Sequence, residues 1–130
     1  MTTPENITHL EPDEIFVFGS NLAGRHGKGA ALVAKQKFGA KQGQCSGFTG
    51  QCYAIPTKDR SLNTLPLDKI KISVSMFLWQ ATHYNTDLTF LVTPIGCGLA
   101  GYTPEQIAPM FADAPPNVIL PASFQKVLKP

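Results

Sequence analysis

Four short runs in this chain are apolar almost from end to end: IFVFG (Ile15–Gly19), CYAI (Cys52–Ile55), LTFLV (Leu88–Val92) and NVILP (Asn117–Pro121). A strand with one wet face alternates apolar and polar residues, so continuous apolar runs of this length mark strands covered on both faces. The segments between the runs carry helical patterns. Doubly covered strands that alternate with helices specify an α/β sheet with helices on either side, a three-layer α/β/α fold.

From about Leu67 to Tyr84, the residues Ile70, Val74, Phe77, Leu78 and Ala81 recur at helical spacing and predict an amphipathic helix. A shorter helix is expected from about Gly29 to Phe38. Its inner face would hold Ala30, Val33, Ala34 and Phe38, with Lys35 and Lys37 off that face and Gly39 ending it. A third helix begins near Pro104, capped by Thr103. Pro56 has no N–H to donate and is expected to close the second strand. Residues 1–14 form a polar lead, and 1–130 is read as a single domain.

Composition narrows the function classes. The 130 residues are 43% hydrophobic, enough to bury a core in one domain. A formal charge of +2 is too weak for a general nucleic-acid-coating surface, so phosphate recognition is expected to be local. Cys45, Cys52 and Cys97 form an odd set with no C-x-x-C pair, and no histidines stand at zinc-finger spacing. Neither a disulfide framework nor a metal site is expected. No run approaches the ~18 apolar residues that cross a bilayer. The start MTTPENITHLEPDE lacks the basic-then-apolar order of a signal peptide. The expected setting is cytoplasmic, with no membrane partner.

Two glycine-rich segments carry the functional reading: SNLAGRHGKGAA after the first strand and TPIGCGLAGYT after the third. Both precede expected helices, so both belong at the carboxyl edge of the sheet, where open α/β folds bind ligands. Backbone N–H groups at a helix start lack internal partners and carry about half a positive charge, and glycine lets a phosphate approach them closely. The pair reads as an anion cradle. The plainer alternative is that these glycines serve only turns and caps.

Familiar nucleotide motifs fail here. A P-loop starting at Gly19 would have Gly24 in place but Arg25-His26 where Lys-Ser or Lys-Thr is required. A dinucleotide fingerprint starting at Gly27 has Gly29 but then Leu32 where a third glycine or alanine belongs, and no acid about 20 residues on at the end of a paired strand.

Three segments, in order, resemble a known family. RHGKGAALVAKQKFG (Arg25–Gly39), YAIPTKDR (Tyr53–Arg60) and PIGCGLAGY (Pro94–Tyr102) are similar to segments of the macro domains that bind ADP-ribose. They resemble the first binding loop and helix, the strand ending in a Thr-Lys pair, and the Ile-Gly-Cys-Gly-Leu phosphate loop. The similarity is to the branch that includes the terminal ADP-ribose protein glycohydrolase and antitoxins that reverse ADP-ribosylation of DNA bases, and it extends to sequences of bacteria and their phages. It spans Ile15 to Pro121. It implies a macro-domain-like fold with a mixed, mostly parallel sheet, no cofactor, and ADP-ribose or an ADP-ribosylated macromolecule as partner.

The resemblance further implies that the diphosphate and distal ribose lie between the two loops. Contacts would come from Asn21, Gly24, Gly27, Lys28, Gly29 and Ala30, from Thr57, and from Ile95, Gly96, Cys97, Gly98, Leu99, Ala100, Gly101 and Tyr102. In that branch the lysine matching Lys58 is catalytic. It attacks the anomeric carbon of the distal ribose and displaces a carboxylate such as a glutamyl side chain, through a transient covalent adduct. On physical grounds, an amine at a strand end beside two amide-lined loops suits nucleophilic attack, because desolvation and positive potential favour its neutral form. The bland alternative is a lysine that pairs with phosphate or solvent.

One position departs from the branch. Ala100 stands where a catalytic aspartate follows Ile-Gly-Cys-Gly-Leu. A missing general acid or base costs about 10²- to 10⁴-fold in rate. Asp59 and Glu105 are the available substitutes, and related antitoxin-like domains rely on the lysine alone. Asn21 is either a ribose contact or a turn former. His26 is either an acid–base group or, as the commoner fate, an exposed loop histidine. Tyr102 and Phe48 either stack on the ligand or pack, and Cys97 is expected to fill a small volume.

The leading expectation is therefore hydrolysis of ADP-ribosyl adducts on protein carboxylates or nucleic-acid bases. The alternative is a non-catalytic binder that sequesters ADP-ribose or a related nucleotide. A third reading keeps the α/β architecture and gives the pocket to another phosphorylated metabolite.

Overall fold

The computed structural model describes residues 1–129. Its sheet is built from β1 (Glu14–Asn21), β2 (Gly47–Thr49), β3 (Cys52–Lys58), β4 (Thr89–Val92) and β5 (Val118–Ile119) in the order β2-β3-β1-β4-β5. β1 pairs in parallel with β3 and β4, and β4 in parallel with β5, while β2 runs antiparallel to β3. The helices are α1 (Gly29–Lys37), α2 (Leu67–His83), α3 (Pro104–Ile107) and α4 (Ala122–Leu128), with a 3₁₀ turn at Ala108–Phe111.

The apolar runs explain the layering. Ile15, Val17, Tyr53, Ile55, Phe90 and Val92 project to one face of the sheet. There they pack with Ile70, Val74 and Phe77 of α2, Ile107 of α3 and Phe124 of α4. The residues between them, Phe16, Phe18, Cys52, Ala54 and Leu91, project to the other face and meet Ala31, Ala34 and Phe38 at α1. Each strand thus feeds two cores, and the fold is a three-layer α/β/α arrangement with a mixed, mostly parallel sheet. No helix among the described residues is long and apolar enough to cross a membrane.

Four local expectations change. β3 continues through Pro56 to Lys58. β2 pairs only with Cys52–Ala54 and the chain returns to β3 only at Thr57–Lys58, so at Pro56 that side of the strand has no partner and a residue without an N–H is tolerated. The most buried positions of α1 are Ala31 and Ala34, while Ala30 and Val33 are only half-buried. Ala31, Ala34 and Phe38 share the inner stripe. The lead 1–14 is polar but anchored, since Thr3 donates its N–H to Leu120 O and its hydroxyl to Ile119 O, each at 2.9 Å, and Ile7 and Leu10 are buried. The last strand shortens to Val118–Ile119: Leu120 O instead accepts the Thr3 N–H, and the Asn117 side-chain amide lies within 3.2 Å of the carbonyls of Ala81, Asn85 and Leu88 at the end of α2.

Candidate functional site

β1 sits at the centre of the sheet, and the order of the strands turns around it. The chain leaves β1 for α1 on one face and leaves β4 for α3 on the other, which opens a crevice at the carboxyl ends of these neighbouring strands. A cleft of about 820 Å³ occupies that crevice, within the range of ~300–1,000 Å³ common for small-molecule sites. The loops after β1 and β4 and the end of β3 form its walls.

The first wall is the loop from β1 to α1. Asn21 is buried, and its side chain closes the loop: Oδ1 accepts the Arg25 N–H at 3.0 Å and Nδ2 donates to Arg25 O at 2.8 Å. Asn21 therefore performs the turn-forming role while also lining the cleft. Gly27, Lys28, Gly29 and Ala30 line it as well. The N–H groups of Gly29, Ala30 and Ala31 open α1 and donate to no acceptor among the described residues.

The second wall is the loop after β4. Ile95, Gly96, Cys97, Gly98, Leu99 and Ala100 all line the cleft. The N–H groups of Gly98, Leu99 and Ala100 likewise donate to no acceptor among the described residues. Gly96 has φ +75, and a Cβ there would stand 3.0 Å from the Ile107 side chain, so this glycine is required by both conformation and packing. The two walls approach each other closely: a Cβ on Gly29 would lie 4.0 Å from Leu99 Cδ1.

Thr57 and Lys58 at the end of β3 form the floor and third wall. The Thr57 hydroxyl donates to Ser20 O at 3.2 Å and fixes β3 to β1. The chain then turns through Asp59–Asn63 and returns, so that Thr64 bridges Lys58. The Thr64 hydroxyl donates to Ala100 O at 2.8 Å and Tyr102 OH donates to Leu65 O at 2.6 Å, which straps this segment to the second loop. Leu62 enters the cleft wall with φ +66, the one left-handed non-glycine among the described residues.

The charge of the lining is one-sided. Arg25, Lys28 and Lys58 line the cleft, and among the described residues no Asp or Glu does. Asp59 is committed to its own turn, where Oδ1 accepts the N–H groups of Ser61 and Asn63 at 2.9 Å each. Glu105 lies outside the lining at the start of α3. The Cys97 thiol is pushed up to about 11, first by burial and then by the Glu105 carboxylate, so it remains a neutral packing group near pH 7.

Three expected contact residues stand elsewhere. Gly24 (φ +70) packs on the 41–46 segment; its carbonyl accepts Gly43 N–H at 2.7 Å, and a Cβ would come within 2.4 Å of Gly43 C. Gly101 and Tyr102 lie behind the second loop, with the Tyr102 hydroxyl taken by Leu65. Phe48 stacks edge-on against Tyr53 at 5.1 Å on β2, outside the cleft. His26 is fully buried, T-shaped against Phe18 at 5.3 Å, and neither ring nitrogen has a hydrogen-bond partner among the described residues. The commoner fate of an exposed loop histidine does not apply, because the stapled 24–43 contact folds the ring inward.

Sequence reasoning did not name Gly19, Ser20, Arg25, Ala31, Leu62, Thr93 and Pro94 as contact residues. Ser20 and Thr93 follow the apolar runs immediately, and their position at the strand ends was the available signal. Leu62 carried none, because its place depends on the turn made by Asp59.

No family model matches the chain and no curated protein matches it. A solved structure described as a protein of unknown function from Bacteroides thetaiotaomicron is similar, with a TM-score of 0.62 over 87% of this chain and 89% of that chain, at 14% identity. Likeness at that identity establishes the fold alone.

Proposed function

We propose that the cleft binds the ADP-ribosyl group and that Lys58 hydrolyses its adducts. The observation that carries the reading is the place of Lys58 in a cleft whose charged lining residues, among those described, are all cationic and whose walls present two sets of unpaired backbone N–H groups. Such a lining suits a diphosphate, which needs donors and positive potential and is repelled by carboxylates. In the reaction Lys58 Nζ forms a bond to the anomeric carbon. The bond from that carbon to the carboxylate oxygen, or to the base nitrogen, breaks, and its electron pair leaves with the carrier. The amine's proton passes to the carrier, and water then adds its hydroxyl to the anomeric carbon and returns its proton to Lys58 as the carbon–nitrogen bond breaks, which releases ADP-ribose.

A second reading is favoured by one specific observation. Ala100 replaces the branch's aspartate, and among the described residues no carboxylate lines the cleft to activate that water. A protein that binds ADP-ribose without turnover fits this lining equally well.

Calorimetric titration with ADP-ribose, AMP and NAD tests the shared premise, using wild type and Gly98→Glu. Gly98 has ordinary φ and open space around its Cβ position, so the substitution leaves the fold intact and adds a carboxylate among the free N–H groups. The expected outcome is selective binding of ADP-ribose by wild type, weakened at least about tenfold in the variant. Wild-type protein that binds none of the three compounds removes the premise.

A further inference from the structure

Leu62 holds a conformation that its own turn does not require of a leucine. The chain leaves β3 at Lys58 and reverses through Asp59–Asn63. The reversal is pinned by the Asp59 N–H to Asn63 O at 2.7 Å, the Leu62 N–H to Asp59 O at 3.1 Å, and the N–H groups of Ser61 and Asn63 to Asp59 Oδ1 at 2.9 Å each. Within it the left-handed position, φ +66, falls on Leu62 and not on Asn63 beside it. A leucine Cβ crowds the backbone there, whereas asparagine or glycine fits readily. Backbone preference alone would set the two residues in the opposite order. Core packing does not offset the strain, because Leu62 is 44% exposed and belongs to neither apolar cluster. Its side chain instead lines the cleft. A residue held in a sparsely populated conformation at the wall of a cleft points to a ligand contact.

Its place among the walls indicates which part of the ligand it meets, an inference that rests on the proposed function. The two sets of N–H groups, at Gly29–Ala31 and Gly98–Ala100, belong to the first and second walls. Leu99 reaches from one towards the other, its Cδ1 4.0 Å from a Cβ placed on Gly29. The diphosphate belongs between these walls. Leu62 stands on the third wall with Thr57 and Lys58 and is the one apolar residue there among those described. Thr64 bridges Lys58 and donates its hydroxyl to Ala100 O at 2.8 Å, so the turn that carries Leu62 is held beside Lys58. A terminal ribose whose anomeric carbon meets Lys58 Nζ then lies against Leu62. The ribose ring presents C–H groups as well as hydroxyls, and an aliphatic side chain packs on the former without displacing a hydrogen bond. We propose that Leu62 is a specificity-determining residue: it packs on the terminal ribose and makes the cleft favour nucleoside diphosphates that bear a terminal pentose over those that end at the diphosphate.

Calorimetric titration of wild type, Leu62→Asn and Leu62→Met with ADP-ribose and with ADP tests the proposal. Asparagine suits the left-handed backbone and removes the apolar contact, whereas methionine keeps an apolar side chain. Leu62→Asn is expected to bind ADP-ribose about fivefold more weakly and ADP within about twofold of wild type, and Leu62→Met to bind both within about twofold. The urea midpoint of Leu62→Asn should equal or exceed that of wild type, which separates a lost contact from a loosened fold. A lower midpoint overturns the strain from which the proposal starts. Wild type that binds neither compound overturns the reading of the cleft and this proposal with it. Wild type that binds ADP-ribose, with no loss in Leu62→Asn, overturns the role of Leu62 and leaves the reading of the cleft standing. Equal losses for the two compounds would place Leu62 at the adenosine or the diphosphate and overturn it too, as would a Leu62→Met variant that binds ADP-ribose as weakly as Leu62→Asn.

Discussion

Asn21 and Lys58 are paired across β1 and β3, because the register slips between Ser20 and Asn21 and passes over Thr57. Ser20 still pairs with Pro56, and the Leu22 N–H bonds Lys58 O at 2.9 Å. The irregularity has two effects. It ends β1 at the residue that closes the first loop, and it sets Lys58 beside that loop at the cleft.

Replacement of Lys58 separates chemistry from binding. Under the proposed function, Lys58→Ala lowers release of ADP-ribose from a modified protein or nucleic acid by about 100-fold or more. Binding of free ADP-ribose should change far less, since the unpaired N–H groups of both loops remain. Equal release rates for wild type and variant would exclude Lys58 as the nucleophile.

Thr64 couples the third wall to the second. Thr64→Val removes the hydroxyl that donates to Ala100 O, a net loss of about 1 kcal/mol or less at an exposed site. ADP-ribose affinity should drop about two- to fivefold, and Thr64→Ser should recover it. Identical affinities for the valine and serine variants would show that the strap does not shape the cleft.

Gly24 and Gly98 look alike in the sequence and differ in the fold. Gly24→Ala forces a Cβ to within 2.4 Å of Gly43 C at φ +70, which should destabilise the protein by about 2–3 kcal/mol. Gly98→Ala, with nothing near its Cβ position, should stay within about 0.5 kcal/mol of wild type. Urea denaturation measures both, and comparable midpoints would contradict the crowding argument.

His26 has two buried ring nitrogens without partners among the described residues, and its backbone N–H bonds Gln42 at 3.0 Å independently of the ring. A leucine side chain, close in volume to the imidazole, keeps an apolar contact with Phe18 and removes the unpaired polar atoms. His26→Leu should therefore stabilise the fold by about 1 kcal/mol, roughly 3–4 °C in Tm. A lowered Tm would mean that the imidazole has a partner not accounted for by these contacts.

The Cys97 thiol, raised from 9.0 to about 11, should be alkylated slowly at neutral pH. Its rate should climb about tenfold per pH unit towards 11, because only the thiolate reacts. The same shift sets a stability trend. The unfolded thiol loses its proton at lower pH than the folded one, so this contribution is full below pH 9 and is lost as pH rises towards 11. An alkylation rate that levels off near pH 9 would contradict it.

The apolar runs and the spacing of Ile70, Val74, Phe77 and Ala81 determined the layers and most of the elements, because the periodicity of burial is written locally in the residue order. The same logic brought the loops after β1 and β4 together, since parallel strands share a carboxyl edge. Tertiary structure alone decided the rest. The three residues of β2 become a strand only by pairing with β3, and α4 is too short to show a period of its own. Gly24 is crowded and His26 is buried because the 41–46 segment folds onto them from a distance in the chain that no local pattern records. Which glycine faces a ligand and which faces a neighbouring backbone is a property of contacts between segments, and those exist only once the chain has folded.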